Sequence, residues 1–285
     1  MLPDLLSAVL RGLGFVAILQ AGGAALFLVG FSREAAARRS VCRLIRVAAV
    51  AGSVLLLAQY LLEPARMAGA FAGIWDRDLQ LFALHTRTAL ALALRLAGLL
   101  LLLAALRNDD IRLPGVAVAG AIVIAGSFAA TGHTSQNPER WLLGPLLVLH
   151  LLVVEFWFGS LLPLRLVTMH DPAAAAARIV SRFSKLAAWT VPLILVAGTV
   201  IAAWLLPDVA ALRRPYGLGL LLKVLAFVLL MGLAAHNKWR LGPALERGGT
   251  AAAARLRRSI DMEFLLIAAV LLGTAALTMF WSPEH

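Results

Sequence analysis

Tyr216-Gly-Leu-Gly-Leu-Leu-Leu-Lys-Val-Leu-Ala-Phe-Val-Leu-Leu-Met-Gly-Leu-Ala-Ala235 decides the architecture. It carries one charge, Lys223, and as a helix it would measure about 30 Å, the thickness of a bilayer's hydrocarbon core. Comparable stretches lie at 5–31, 44–62, 79–106, 114–131, 141–163, 185–206 and 262–281, so the chain reads as eight spans with 216–235 as the seventh. Backbone groups in lipid must bond internally, and these runs are continuous Leu/Ala/Val blocks rather than alternating segments. Helices are therefore expected, not a barrel. Composition agrees: 61% of the 285 residues are hydrophobic, 14% are charged and mean hydropathy is +0.88. A soluble domain would be about 25% charged.

The net charge of +11 is a topology signal. Connections 32–46, 107–113, 164–185 and 236–261 hold 17 of the 26 Lys and Arg residues, whereas 63–78, 132–140 and 207–215 hold five. The positive-inside rule puts the first set in the cytoplasm and both termini outside. Contact with anionic membrane lipids is a secondary use of this charge, and nucleic acid is not an expected partner. The Ala-rich stretches 173–177 and 251–254 read as short helical extensions. No linker of domain-boundary size interrupts the chain, so one polytopic domain over 1–285 is expected. Cys42 is the lone cysteine and can form no internal disulfide.

Function should reside in the polar side chains that lipid would exclude. Tyr216, Lys223 and Asn237 fall on one face of the seventh span at about 100° per residue. A lysine at such depth costs about 2.5–3.5 kcal/mol, so it either snorkels outward or pairs with a carboxylate. Glu155, in the fifth span, is the expected partner. His85, His133 and His150 occupy the outer half, with Trp157 near the face of His150. Met231, His170 and His236 lie toward the cytoplasmic edge. Imidazole and thioether are ligands for Cu(I), and imidazole also binds zinc or haem iron. The competing account of each histidine is a hydrogen bond to a neighbouring helix. There is no C-x-x-C, H-E-x-x-H, phosphate-cradling Gly loop or nucleophile elbow, so enzymatic chemistry is not expected.

Several of these residues fall in motifs that resemble the CopD family of bacterial inner-membrane copper-resistance proteins. One runs from Gly132-His133 to Leu149-His150 and on to Glu155-Phe-Trp157-Phe-Gly159. Another is Arg182-Phe183-Ser184-Lys185 leading to Gly198-Thr199. The most specific is Tyr216-Gly217-x-x-Leu220-Leu-x-Lys223 with Ala235-His236-Asn237 and Leu241-Gly-Pro243, followed by Arg257-Arg258-Ser259-Ile260-x-x-Glu263. The resemblance is strongest over 129–280. In the third span Thr86-Arg87-Thr88-Ala89, then Arg95, resembles a family pattern, with Ala89 where glycine is expected.

The resemblance implies an eight-span protein that moves copper ions, as Cu(I) or Cu(II), from periplasm to cytoplasm, often beside a CopC-like periplasmic copper binder. His85, His133 and His150 would be outer ligands, and Met231, His170 and His236 inner ones. Lys223 and Glu155 would form a charge pair or proton-linked gate, with Tyr216, Asn237 and Glu263 in the same polar set. Two rivals stand beside this reading: a membrane redox protein holding haem b through histidines, and a non-transporting copper sensor or assembly partner.

Overall fold

Amides that cannot reach water close on their own helix, and the chain is helical almost throughout. The computed structural model describes residues 2–31, 36–132, 136–206, 209–247 and 250–281. The long helices are α1 (Leu2–Phe31) and α2 (Arg38–Leu61), continued by the short α3 (Glu63–Met67). A short α4 (Arg77–Leu84) precedes α5 (Arg87–Ala105), and α6 (Pro114–Ser127) runs into a 3-10 turn ending at Ala130. Then come α7 (Arg140–His170), α8 (Ala173–Leu205), α9 (Pro215–His236), α10 (Gly242–Glu246) and α11 (Thr250–Phe280). A π-helical segment, Asn237–Leu241, joins α9 to α10. Among the described residues seven helices are long and apolar enough to cross a bilayer, while the apolar helix Pro114–Ala130 is shorter.

The expected third span, 79–106, is broken. The Asp76 carboxylate caps α4 by accepting from the Asp78 and Leu79 amides at 2.9 and 3.1 Å, and that helix ends at Leu84. The apolar helix begins only at Arg87, which leaves His85 outside it. The two Ala-rich stretches do extend α8 and α11 as helix.

The first span is the hub. α1 packs against α2, α5, α6, α7 and α11, and Ile18, Leu19, Phe27 and Leu28 are fully buried. Its closest approach is to α7. A Cβ on Gly23 would lie 1.8 Å from the Glu155 carbonyl oxygen, and one on Gly159 would lie 2.5 Å from the Gly23 Cα. Small residues thus let two backbones touch. The same crossing repairs a helix defect. Pro163 has no N–H to give the Gly159 carbonyl four residues earlier. Gln20, buried on α1, donates from Nε2 to that oxygen at 2.9 Å instead.

All four basic connections gather at one end of the bundle. A two-residue hairpin follows α5, pairing β1 (Leu106–Arg107) with β2 (Asp110–Ile111). Its turn residues, Asn108 and Asp109, have φ of 51° and 57°, values these two side chains tolerate. Arg46 of α2 donates to Asp109 at 2.7 Å, and Arg38 faces Asp110 at 3.5 Å. The Asp171 carboxylate accepts from the Ala36 and Ala37 amides at 2.8 Å each. Arg165 pairs with Asp261 at 2.7 Å, and Arg257 donates to the Thr168 carbonyl. At the opposite end Arg66 bridges Asp4 and Glu63 at 3.3 and 2.9 Å.

Two outcomes are expected. Gln20→Leu orphans the Gly159 carbonyl and should cost about 1–2 kcal/mol. In the Pro163→Ala background, where the helix bond can re-form, the cost should largely vanish; thermal unfolding in lipid nanodiscs reads both. The hydrogen bond from Arg46 holds the Asp109 carboxyl below its ordinary range. Its contribution is therefore complete above the ordinary carboxylate value and is lost as pH falls through the lower folded value. Melting temperature should drop on acidification below about pH 4, and Arg46→Gln should flatten that drop.

Candidate functional site

A cavity of about 270 Å³ opens between α7, α8, α11 and the junction of α9 with the π-helical segment. Trp157, Met231, Asn237 and Glu263 all stand on its wall. Two backbone irregularities frame it. Pro192, inside α8, cannot donate to the Ala188 carbonyl, and both residues line the cavity. The π-helical segment widens the helix so that the Gly242 amide reaches the Asn237 carbonyl, five residues back. Membrane helices are commonly interrupted where they build binding sites.

Glu263 is 3% exposed and accepts a short hydrogen bond from Asn237 Nδ2. That bond commits the amide nitrogen and leaves Asn237 Oδ1 buried without a partner. Ser259 Oγ, one turn before Glu263, is buried and unpartnered too. The wall therefore offers a carboxylate, an amide oxygen and the Met231 thioether, a mixture of hard and soft donors suited to a copper ion.

The outer histidines do not gather among the described residues. His85 is exposed at the α4–α5 break, and its Nδ1 lies 2.8 Å from the Leu81 carbonyl on its own helix. His150 is half-buried in α7, with Nδ1 3.1 Å from the Ile194 carbonyl of α8 and its ring against Gly198. His133 lies outside the described residues. At the basic end His170 is exposed and bonded to the Leu166 carbonyl at 2.9 Å, and His236 is exposed at the end of α9. No group of three or more His, Cys, Asp or Glu able to hold a metal occurs among the described residues. The physical reason is local: a carbonyl one turn back holds Nδ1 of His85 and His170, and a carbonyl of the neighbouring helix holds Nδ1 of His150.

The expected pair of Lys223 with Glu155 is also corrected. Glu155 turns toward α1, where a Cβ on Gly22 would lie 1.5 Å from its Oε1, and neither carboxylate oxygen has a hydrogen-bond partner. Lys223 is half-buried on α9 and acts electrostatically on His150 instead. Tyr216 is half-buried at the start of the same helix.

Gln20 and the Gly22-Gly23 pair escaped the reading of the sequence, although a lone amide beside two glycines in an apolar run is a packing signal. Arg95 is another polar side chain buried inside the N-terminal half. It is 6% exposed, donates to Ser127 Oγ at 3.2 Å, and sets its guanidinium 4.7 Å from the Phe128 ring centre and 5.3 Å from that of Phe15. Two aromatic faces receive the guanidinium.

Comparison with known proteins covers both halves. The family profile described as Copper resistance protein D matches residues 177–277. The profile described as Copper resistance protein D-like, N-terminal domain, matches residues 1–142, so the half with the fainter motifs is matched as well. The chain is 28% identical to Copper resistance protein D of Pseudomonas syringae pv. tomato over 99% of its own length and 98% of that protein's. No solved structure matches it. A multi-pass helical membrane protein whose two halves both match in this way belongs to the copper resistance protein D family.

Proposed function

We propose that this protein carries copper ions across the bacterial inner membrane from periplasm to cytoplasm. One observation carries the reading: Met231, Asn237 and Glu263, from the α9–π-helical junction and α11, line one cavity, and the Asn237 Oδ1 there is buried without a partner. In this reading Pro114–Ala130 completes eight passes, both termini are periplasmic and the clasped basic connections are cytoplasmic. The cavity is the inner copper site, and the exposed His170 and His236 lie beyond it as exit ligands. His85, His133 and His150 serve the outer half. His150 is the best prepared of them, because the carbonyl at Nδ1 orients the ring and leaves Nε2 for metal. Lys223 then acts as the gate. An ammonium within electrostatic reach of His150 weakens cation binding there, and weak successive sites are what passage requires. A CopC-like periplasmic binder would deliver the ion. Copper is cargo, and no catalytic step is invoked.

Copper bound per purified protein, together with copper uptake into reconstituted vesicles, tests this. Met231→Leu combined with Glu263→Gln should cut both at least tenfold, and His150→Ala should slow uptake. Unchanged values in both variants would sink the site assignment. Tight binding without uptake would favour the sensor or assembly role. A strong Soret band in the visible spectrum would favour haem b. Asn237→Ala should also destabilise the fold by about 1–3 kcal/mol, since it strips the buried Glu263 of its donor.

A further inference from the structure

The α1–α7 crossing holds an acid that the copper path does not use. Glu155 is completely buried, and both carboxyl oxygens lack a hydrogen-bond partner. Two neighbouring polar groups are in the same condition. Gln20 has committed its amide nitrogen to the Gly159 carbonyl, and its Oε1 is buried without a donor. Ser160 Oγ, on the next turn of α7, is buried and unpartnered as well. An ionised carboxylate only accepts, as does Gln20 Oε1, and neither finds a donor, the Ser160 hydroxyl included. Native interiors rarely leave such groups unmatched, and each instance calls for a missing partner.

The missing partner must be small. The carboxyl lies against the Gly22 backbone, where a Cβ would sit 1.5 Å from Oε1, and the Gly23 and Gly159 backbones are in contact beside it. A metal ion with a ligand shell does not fit against that wall. A proton does, and it changes the chemistry in the required direction: a protonated Glu155 becomes a donor, and Gln20 Oε1 is the acceptor on α1 that lacks one.

No opposite charge substitutes for that proton. The ionisable groups on the helices packed against α1 and α7 are Asp4 and Arg11 of α1; Arg38, Arg39, Cys42, Arg43, Arg46 and Tyr60 of α2; Arg87 and Arg95 of α5; Arg140, His150, Arg165 and His170 of α7; Arg178, Arg182 and Lys185 of α8; and Arg255, Arg257, Arg258, Asp261 and Glu263 of α11. None of them is hydrogen-bonded to the Glu155 carboxyl. α6 carries no ionisable residue.

We propose that Glu155 is a membrane-embedded proton-binding site. The carboxyl carries its proton while α1 and α7 are packed, and it releases that proton as a hydron, leaving the carboxylate, only when the two helices part. Since α1 is the helix that touches α2, α5, α6 and α11 as well, proton release at this point would loosen the hub of the bundle. The site is independent of the copper ligands and stands or falls without them.

Infrared difference spectra of the full-length protein in lipid vesicles, metal-free and at neutral pH, test the proposal. Subtracting Glu155→Gln from the wild type should reveal a protonated-carboxyl carbonyl band that moves on exchange into heavy water. Loss of a carboxylate band alone would overturn it. Should E155Q fail to accumulate, Gln20→Met in the Pro163→Ala background keeps the carboxyl and removes its acceptor. The same band should then move to the position of a carboxyl without an acceptor, and an unmoved band overturns the proposal.

Discussion

The whole bundle is organised by one buried exchange of hydrogen-bonding capacity. Pro163 removes an amide from α7, the Gly159 carbonyl is left without its helical donor, and Gln20 of α1 supplies one. In lipid no water could take that place, so the defect in one helix fixes the depth and rotation of another. Glycines at 22, 23 and 159 make the approach close enough for the bond to form. The result places α1 at the centre, in contact with helices from both halves of the chain. The first span is the most buried of the seven long apolar helices among the described residues.

The inner cavity follows the same logic with the opposite outcome. Pro192 and the π-helical segment again disturb backbone bonding, but no glutamine arrives to mend it. The space is lined instead by Met231, Asn237 and Glu263, with amide and hydroxyl oxygens left buried and unpartnered nearby. One irregularity is closed by a side chain and makes a joint; the other stays open and makes a site. In the proposed function, this open space is where a copper ion would be held.

Much of this was legible in the order of residues. Apolar length gave the helices, and the distribution of arginine anticipated which connections lie together: Arg46 meets Asp109, Asp171 meets the 36–37 amides and Arg257 meets Thr168 at one end. Motifs around Tyr216–Lys223 and Arg257–Glu263 pointed to the family. The site was less legible. Met231, Asn237 and Glu263 were each singled out, yet only the packing of α9 against α11 unites them. His85 was assigned to a span because its flanks are apolar; α4 ends at Leu84 and extended Thr86 precedes α5, which leaves it outside. Lys223 and Glu155 were matched by charge alone, and they face different helices.

The sequence by itself determined that this chain is a helical membrane protein and which connections share a side. Those properties depend on transfer of each segment from water to lipid, which is local and additive. Tertiary structure decided which polar groups find partners and which remain open. That choice depends on rotation and depth of one helix against another, set by a few glycines, prolines and a single glutamine, and no residue carries it alone.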